Sequence, residues 1–545
     1  MQTNSSMEPH PNPDVLIIGA GPTGAVASKR LAEAGFKVVC LEQGDWPDYT
    51  KARSPHDDYE LTAGRDWNWL PNVRRMPSDY PVEESDSDIT ALMWNGVGGS
   101  SVLFAAQWHR NLPSDFCVRS LDGVADDWPL TYEDLVPFYE RVENDFAVSG
   151  VSGDTAYPKG SITTPLPPAP LGRLGRRVVK AHNDLGWHWW PGSNAIATRA
   201  HGKLRPCVQR ATCLWGCADG AKASADRCIW PVNLELGVRL ITGARVQRIE
   251  VDAQGRATGA TYIDRAGQQH FQAAPVTILA ANGIGTPRLL LASATDRHRD
   301  GLANSSGLVG KRLMMHPFAA VVGLFDEDLE SWQGVWGQVA YTLQFYETDV
   351  SRGFVRGAKW GLQPTGGPLS ATRAFPWGVG SFWGENFHSE IVKRFGRSAM
   401  WGIIAEDLPD EANRIVLDPV LKDSDGIPAP KIIYKLSENS HRLLAFHIER
   451  AKESLQAAGA YEVIVAPQIR ESGWHLLGTT LMGNDPRTSV VDKWGRTHDI
   501  PNLYVFDGSV WPTASGMNPT ATIAALSLRF TDHLIEERHN QEVPA

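Results

Sequence analysis

The sequence predicts an α/β protein in which a Rossmann-like domain is joined to a second, sheet-based α+β domain. Three observations support this fold class. The apolar run Val15–Ile18 leads directly into the glycine-rich segment Gly19–Gly24. A second alternation of strand-like and helix-like segments returns over residues 236–291. The chain has 545 residues, which is too long for one hydrophobic core and indicates at least two domains.

The first elements form a strand–turn–helix–strand unit over residues 14–44. The run Val15–Ile18 is continuously apolar, as expected for a parallel strand that is buried on both faces. Residues 25–34 are good helix formers, and Gly35 is placed to end the helix. Residues 37–41 form the next predicted strand, which completes a βαβ unit.

Changes in composition divide the rest of the chain. Residues 151–175 are rich in Pro, Gly, Ser and Thr and are predicted to form a surface loop. Residues 312–474 start with an aromatic, Gly-rich stretch and are predicted to be a substrate-binding domain built on a sheet. Residues 475–540 are expected to return to the first domain. That domain is therefore discontinuous and combines residues 12–311 with residues 475–540.

The glycine-rich turn is predicted to bind the phosphates of a dinucleotide. Gly19 permits the tight turn, Gly21 lets the backbone approach a pyrophosphate, and Gly24 allows close helix–strand packing. The start of the following helix adds a partial positive charge. Glu42 ends the next strand, where it can accept hydrogen bonds from ribose hydroxyls and disfavours the 2′-phosphate of NADP. These residues do not distinguish FAD from NAD.

Composition argues against several classes of partner. The net charge is −10 and no block of Lys and Arg is present, so a nucleic acid partner is not expected. No apolar run reaches the roughly 18 residues that a membrane span needs. Residues 1–13 lack the basic and apolar segments of a signal peptide, which predicts a cytoplasmic location. Export to the periplasm together with a signal-bearing partner is the alternative.

Four segments carry a recognisable pattern and occur in a characteristic order. They are the glycine-rich turn, residues 95–101 (Asn-Gly-Val-Gly-Gly-Ser-Ser), residues 280–288, and the C-terminal region from His475 to Asn518. Together they resemble the glucose–methanol–choline (GMC) oxidoreductase family, which implies the GMC fold and FAD as cofactor. Residues 98–116 and 126–134 look most like the flavoprotein subunits of bacterial gluconate and related sugar dehydrogenases. A small partner subunit is a further expectation, and the electron acceptor is left open.

The resemblance also implies which residues contact FAD. Besides the three glycines of the turn and Glu42, the expected contacts are Gly98, Gly99, Ser100, Val246, Ala281, Asp507, Pro519 and Thr520. Some relatives attach FAD covalently through a His that follows the Gly-Gly pair. Leu103 stands at the matching position here, so we expect FAD to bind without a covalent bond.

Alcohol oxidation removes a hydroxyl proton and a carbon-bound hydride, and a histidine is suited to accept the proton. His475 matches the catalytic His of the family, and Asn518 matches the position of its second catalytic group. An Asn can hydrogen-bond the substrate oxygen without competing for its proton. The helix predicted to start near Pro519 would favour negative charge that develops on the flavin. His316 also lies in a family pattern and is interpreted as structural.

Cys207, Cys213 and Cys217 form a cluster that suggests metal or redox use. The relatives that the chain resembles most hold a three-iron cluster in a similar segment. An Fe–S cluster on these three thiolates, serving electron exit, is therefore one prediction. The chain departs from the pattern of those relatives at Val208 and Ala218. Buried thiols and a disulfide are the alternatives.

The predicted function is FAD-dependent oxidation of a CH–OH group of a sugar, glycoside or polyol, with His475 as base. The mixture of Trp, Gln, Tyr, Arg and Gly in residues 331–384 favours a polar substrate. The alternatives are an alcohol oxidase of the same family that uses oxygen, and an oxidoreductase of an aryl or aliphatic alcohol. A catalytically idle flavin-binding subunit is a third alternative, against which the pair of His475 and Asn518 argues.

Overall fold

The computed structural model describes residues 13–52, 59–62, 67–160, 163–372 and 383–542. The strands in these ranges are β1 (Val15–Ile18), β2 (Val38–Glu42), β3 (Glu83–Ser87), β4 (Trp190–Pro191), β5 (Arg239–Thr242), β6 (Arg245–Val251), β7 (Ala257–Ile263), β8 (Gln269–Ala273), β9 (Val276–Leu279), β10 (Phe318–Leu324), β11 (Ala340–Thr342), β12 (Ala358–Gln363), β13 (Ser398–Ala405), β14 (Arg414–Lys422), β15 (Pro428–Tyr434), β16 (Glu462–Ala466) and β17 (Leu503–Val505). The helices are α1 (Pro22–Glu33), α2 (Tyr59–Thr62), α3 (Pro71–Arg74), α4 (Val118–Asp122), α5 (Tyr132–Asp145), α6 (Gly172–Leu185), α7 (Ala225–Cys228), α8 (Trp230–Glu235), α9 (Asn282–Ala292), α10 (Pro368–Thr372), α11 (Phe387–Arg394), α12 (Glu438–Ala457) and α13 (Thr520–Glu542).

A five-stranded parallel sheet has the order β17–β9–β1–β2–β5. All four side chains of β1 are buried, as its apolar sequence predicts. The helix α1 starts at Pro22, three residues before the expected start, because a proline suits the first position of a helix. Gly35, with a φ of +86°, follows the helix as predicted.

A second, six-stranded sheet is antiparallel between all of its neighbouring strands and has the order β16–β10–β13–β12–β11–β4. The residues of β10, β12 and β13 are buried throughout. The helix α12 packs on β10 and β13. Five of the six strands come from residues 312–474, and β4 comes from an earlier part of the chain.

Two three-stranded sheets join distant parts of the chain. One consists of β6, β7 and β8, so an antiparallel unit is inserted into the α/β segment predicted over residues 236–291. The other has the order β14–β15–β3, with β3 contributed from well before residue 312. The division into domains at residues 311 and 474 therefore stays a prediction. Within the predicted loop over residues 151–175, α6 already begins at Gly172.

The C-terminal helix α13 packs against α1 and α5. This packing carries the end of the chain back to the parallel sheet, beside the glycine-rich turn. Among the described residues, no helix has both the length and the apolar character needed to cross a membrane.

Candidate active site

A large cavity lies at the carboxyl ends of β1 and β2 and extends to the antiparallel sheet, where residues of β10, β12 and β13 complete its wall. The predicted FAD contacts that line it are Gly19, Gly21, Glu42, Gly99, Ser100, Val246, Ala281, Asp507, Pro519 and Thr520. The predicted catalytic residues His475 and Asn518 line the same cavity. Gly24 and Gly98 do not line it and serve the packing of the backbone behind the wall.

The glycine-rich turn allows backbone contacts that a side chain would block. A Cβ on Gly19 would lie 2.4 Å from the carbonyl oxygen of Ala280, and the φ of Gly19 is +107°. A Cβ on Gly24 would lie 2.0 Å from the carbonyl oxygen of Gly19. At Gly21 a Cβ would meet nothing closer than the Cα of Gly99, at 3.9 Å. Gly21 also caps α1 without a side-chain hydrogen bond, so the start of this helix is open to the cavity.

The second glycine segment packs directly on the first. A Cβ on Gly99 would lie 2.8 Å from the Cα of Gly21, and a Cβ on Gly98 would lie 2.8 Å from Oδ1 of Asp226. Both glycines have positive φ angles, +96° at Gly98 and +52° at Gly99. The two segments therefore form a cradle of bare backbone on one side of the cavity.

Glu42 presents a fixed carboxylate at the end of β2. Its Oε2 accepts the N–H of Ala20 at 2.8 Å, and its Oε1 accepts the N–H of Gly44 at 2.9 Å. Burial raises the pKa of Glu42, while these two hydrogen bonds oppose the rise. Each carboxylate oxygen keeps a further lone pair, which suits the acceptance of hydrogen bonds from ribose hydroxyls.

Asp507 reaches the cavity wall with both oxygens already bound. Its Oδ2 accepts the N–H of Asn282 at 3.0 Å and the hydroxyl of Thr286 at 2.5 Å, and its Oδ1 accepts the N–H of Ser509 at 2.9 Å. The hydrogen bonds to Asn282 and Thr286 stabilise the turn before α9, which places Ala281 on the cavity wall. Asp507 therefore supports the site by holding backbone in place.

These features together fit FAD. The glycine cradle offers backbone to a pyrophosphate, Glu42 offers acceptors to a ribose, and the start of α1 offers positive potential. Leu103, at the position where a covalent link was considered, lines the cavity with a hydrocarbon side chain that offers no nucleophile.

The two predicted catalytic side chains lie next to each other. The Nδ2 of Asn518 is 3.4 Å from Nε2 of His475, although the two residues are 43 positions apart in sequence. His475 lies in the irregular segment after β16, and Asn518 directly precedes Pro519 and α13. Folding thus places an imidazole and an amide side by side at the cavity surface.

His316 fixes the tautomer of His475. Its Nε2 is 3.3 Å from the carbonyl oxygen of Ala514, and its Nδ1 is 2.6 Å from Nδ1 of His475. Since a carbonyl only accepts, Nε2 of His316 donates and its Nδ1 is left as an acceptor. His475 must therefore donate through Nδ1, so its Nε2 is an acceptor, which the amide N–H of Asn518 meets at 3.4 Å. The sequence analysis interpreted His316 as structural and did not predict this contact. The available signal was the family pattern around it, Met314-Met-His-Pro317.

The surroundings of His475 favour its neutral form. Burial lowers the pKa of His475 well below 6.5, and the neighbouring His316 and Lys359 lower it further. Burial also lowers the pKa of His316, to about 4. The imidazole of His475 is therefore an unprotonated base at neutral pH.

Lys359 belongs to the site and was missed by sequence reasoning. It stands in β12, is fully buried, and donates from Nζ to Oδ1 of Asn518 at 2.6 Å. The available signal was a single charged residue in the strand segment Ala358–Gln363. Lysines are almost never fully buried without a specific partner.

The antiparallel sheet and nearby loops supply a wall with both apolar and polar groups. Its residues include Trp69, Phe104, Gln107, Phe318, Trp336, Gln363 and Ile404. The amide nitrogen of Gln363 donates to the carbonyl oxygen of Trp336 at 2.9 Å, which fixes the orientation of the amide. Within the described part of the chain, Oε1 of Gln363 and Nε1 of Trp69 are buried and have no hydrogen-bond partner.

Two family models, both described as GMC oxidoreductase, match residues 13–318 and 409–527 of the chain. The chain belongs to the GMC oxidoreductase family. The family expectation is confirmed, and with it FAD-dependent oxidation of CH–OH donors as the enzyme class.

Relatives of this GMC oxidoreductase match over nearly its whole length. 2-Methyl-1,2-propanediol dehydrogenase of Mycolicibacterium austroafricanum is 40% identical and covers 96% of this chain and 95% of its own. The fructose dehydrogenase large subunit of Gluconobacter japonicus is 31% identical, covering 96% and 98%. The greatest resemblance was expected with sugar dehydrogenase flavoproteins, yet the diol dehydrogenase is more similar than the fructose dehydrogenase.

Solved structures agree with the predicted fold class. A variant of formate oxidase from Aspergillus oryzae RIB40 superposes with a TM-score of 0.65 at 15% identity, covering 98% of this chain and 99% of its own. The parallel sheet and the antiparallel sheet described above are therefore the two sheets of the GMC fold.

The cysteine cluster of this GMC oxidoreductase does not support the predicted Fe–S site. All six cysteines are free, and the described residues contain no group of three or more His, Cys, Asp or Glu side chains that could hold a metal ion. Burial raises the pKa of Cys207 to about 12 and also raises that of Cys213, which favours thiols over thiolates. The sulfurs of Cys207 and Cys217 accept backbone N–H groups, at 3.3 and 3.4 Å.

Proposed function

We propose that this enzyme is a dehydrogenase that oxidises a CH–OH group of a sugar, glycoside or polyol, with FAD bound non-covalently and His475 as the base. One observation carries the proposal. The Nε2 of His475 is left as an acceptor by the hydrogen bond at Nδ1, and it faces the cavity beside Asn518. A neutral imidazole in this position is suited to take the proton of a bound alcohol.

Different groups of the site serve proton removal, stabilisation of the substrate oxygen and hydride acceptance. Nε2 of His475 accepts the hydroxyl proton while the C–O bond becomes a carbonyl. Nδ2 of Asn518 donates a hydrogen bond to the substrate oxygen, on which negative charge develops. Bound FAD would accept the hydride, with both electrons of the C–H bond. The start of α13, where Pro519 and Thr520 line the cavity, adds positive potential to this region.

The cavity wall favours a substrate with more than one hydroxyl group. A second hydroxyl could donate to Oε1 of Gln363 or accept from Nε1 of Trp69, and either bond would satisfy a buried group that has no partner in the described part of the chain. The names of both relatives refer to a compound of this kind, a diol and a ketose. These features support a polyol, sugar or glycoside over an aryl or aliphatic alcohol.

The test is anaerobic flavin reduction with a panel of alcohols, followed at the flavin absorbance band. The panel contains 1,2-diols, longer polyols, sugars and glycosides, with 1-butanol and benzyl alcohol as single-hydroxyl comparisons. We expect fast reduction by members of the first group and slow reduction by the two comparisons. Fast reduction by benzyl alcohol alone would contradict the polyol assignment. Reoxidation by air that keeps pace with turnover would identify an oxidase.

Two variants test the residue roles in the same experiment. His475→Ala should lower the rate of flavin reduction by at least about a hundredfold, the usual contribution of a positioned base. Asn518→Ala should lower it less, because it loses a hydrogen-bond donor and keeps the proton acceptor. Both variants should retain FAD. A rate near that of the parent in His475→Ala would remove this residue from the mechanism.

A further inference from the structure

We propose that Lys359 is a positioning residue for the reaction: its hydrogen bond to Asn518 holds the amide with Nδ2 towards His475 and the reacting oxygen. The inference rests on the proposed function, because it assigns a support to one of the two proposed catalytic residues. Lys359 is not among the residues that line the cavity, so it acts through Asn518.

The surroundings of Lys359 match a group with three N–H donors. Its Nζ donates to three side-chain amide oxygens: Oδ1 of Asn518 at 2.6 Å, Oε1 of Gln338 at 3.3 Å, and Oε1 of Gln107. All three partners are neutral acceptors. An ammonium group can satisfy all of them at once, which ties the lysine and the three amides into one unit.

Both glutamines are oriented independently of Lys359. The amide nitrogen of Gln107 donates to the carbonyl oxygen of Gly337 at 2.7 Å. The amide nitrogen of Gln338 donates to the carbonyl oxygen of Ser193 at 3.1 Å. Since backbone carbonyls only accept, each glutamine must turn its oxygen towards the lysine. These two contacts fix the position of Nζ, and the third N–H group of Lys359 donates to Oδ1 of Asn518.

This arrangement decides which end of the Asn518 amide meets the substrate. With Oδ1 held by Lys359, Nδ2 lies 3.4 Å from Nε2 of His475. The opposite orientation would direct the amide nitrogen at the ammonium group and the amide oxygen at the lone pair of His475, and both contacts are unfavourable. The lysine therefore ensures that Asn518 offers a donor, which is the group that a developing negative charge on oxygen requires.

A purely structural role explains the presence of a lysine poorly. The position is fully buried in a strand whose neighbours are buried too, where an apolar side chain would pack without loss of hydration. Burial also lowers the pKa of Lys359 well below 10.5. A group so costly to bury is explained by its contact with Asn518.

The test is a double-mutant cycle on the holoenzyme, with the rate of flavin reduction as readout. Lys359→Met and Asn518→Ala should each lower the rate by about tenfold or more, since losing the geometry of one reacting contact has effects of this order. In the Asn518→Ala background, Lys359→Met should lower the rate by less than about twofold, because its partner is already gone. Two independent effects that multiply in the double variant would overturn the proposal.

Lys222 provides a matched control. It is also fully buried, but its Nζ donates to the backbone carbonyls of Val102 and Phe104, at 2.8 and 3.2 Å. Whatever the effect of Lys222→Met, it should multiply with that of Asn518→Ala. Coupling of the same size in both cycles would show a general effect of losing a buried ammonium group and would overturn the proposal.

Crystal structures of the parent and of Lys359→Met supply a readout other than activity. We expect the Asn518 amide to rotate or become disordered in the variant while His475 keeps its contact with His316. An Asn518 that stays in place despite a slow rate would contradict the inference.

If Lys359→Met fails to bind FAD, the cycle is repeated with Lys359→Gln. The amide of this variant keeps one N–H donor for Oδ1 of Asn518. Its rate of flavin reduction should therefore be higher than that of a Lys359→Ala variant. The His475→Ala variant distinguishes failure of the proposed function from failure of this inference. A normal rate of flavin reduction in His475→Ala would refute the proposed function itself.

Discussion

The base of the proposed reaction depends on residues that do not touch the substrate. His316 accepts from Nδ1 of His475 and so leaves Nε2 as an acceptor, while Lys359 sets the orientation of Asn518. Each support is buried and is itself held by backbone or amide groups. A side chain placed in this way loses little freedom when substrate binds, which preserves the geometry of proton transfer.

The lowered pKa of His475 predicts how activity changes with pH. A base whose pKa is lowered stays unprotonated until the pH falls through that lowered value. We therefore expect the rate of flavin reduction at saturating substrate to change by less than about twofold from about pH 8 to about pH 5.5, below the ordinary histidine pKa of about 6.5. Stopped-flow measurement with a carbon-deuterated substrate as control confirms that hydride transfer is being observed. An acidic limb centred at or above pH 6.5 would contradict the assignment.

At the scale of elements, the glycine cradle depends on two turns that approach each other. One turn joins β1 to α1, and the other contains Gly98 and Gly99. Only glycine allows the approach, because a Cβ on Gly99 would stand 2.8 Å from a backbone atom of Gly21. The same contact places both turns on the wall of the cavity proposed for FAD.

Gly99→Ala should therefore weaken FAD binding. The new methyl group would push the turns apart, and local strain of about 1–3 kcal/mol corresponds to a loss of affinity between about fivefold and about 150-fold. Titration of the apoprotein with FAD, followed by quenching of flavin fluorescence, measures the change.

Gly123→Ala is the matched control for this substitution. Gly123 also has a positive φ, of +73°, but a Cβ there would meet no atom within 4 Å. It therefore carries the backbone penalty without the steric contact. Equal FAD affinity in the two variants would contradict a role for the close approach.

At the scale of the whole molecule, the site forms where the two large sheets meet. The parallel sheet presents Glu42 and the glycine turn, and the antiparallel sheet presents Gln363 to the cavity and Lys359 to Asn518 behind its wall. A buried ion cluster also joins distant segments, because Arg356 pairs with Asp115 at 2.5 Å, Glu406 at 2.9 Å and Asp122 at 3.1 Å. Removing one partner from such a cluster would leave the others buried without compensation.

The composition of the holoprotein is a prediction at this scale. We expect acid precipitation to release the flavin into the supernatant, because Leu103 offers no group for a covalent bond. We also expect iron below about a tenth of the flavin content, because the described residues gather no set of ligands and desolvation raises the pKa of the Cys207 and Cys213 thiols.

The iron content is measured by metal analysis, and an Fe–S cluster is sought by low-temperature EPR, both on protein purified without oxygen. Flavin that stays on the precipitated protein would contradict the first expectation. A cluster signal with stoichiometric iron would contradict the second and restore Cys207, Cys213 and Cys217 as ligands.

The sequence by itself determined the parallel unit around the glycine turn, the family, and the pair of His475 and Asn518. These features depend on local patterns, since an apolar run, a glycine spacing and an ordered set of motifs are visible without contacts. It did not reveal the antiparallel insertion of β6, β7 and β8, because strand periodicity does not specify which strands pair.

Only the tertiary structure decided what surrounds the base. The contact between His316 and His475 spans 159 residues, and so does the contact between Lys359 and Asn518. No spacing rule connects positions so far apart, and a lone lysine in a strand does not indicate which amide oxygens it will meet. The spacing of the cysteines suggested a cluster, but only the structure shows that burial raises the pKa of Cys207 and that its sulfur accepts a backbone N–H group. The sequence specifies which side chains are present. The tautomer and pKa of His475 and the amide orientation of Asn518 depend on neighbours that only folding brings together.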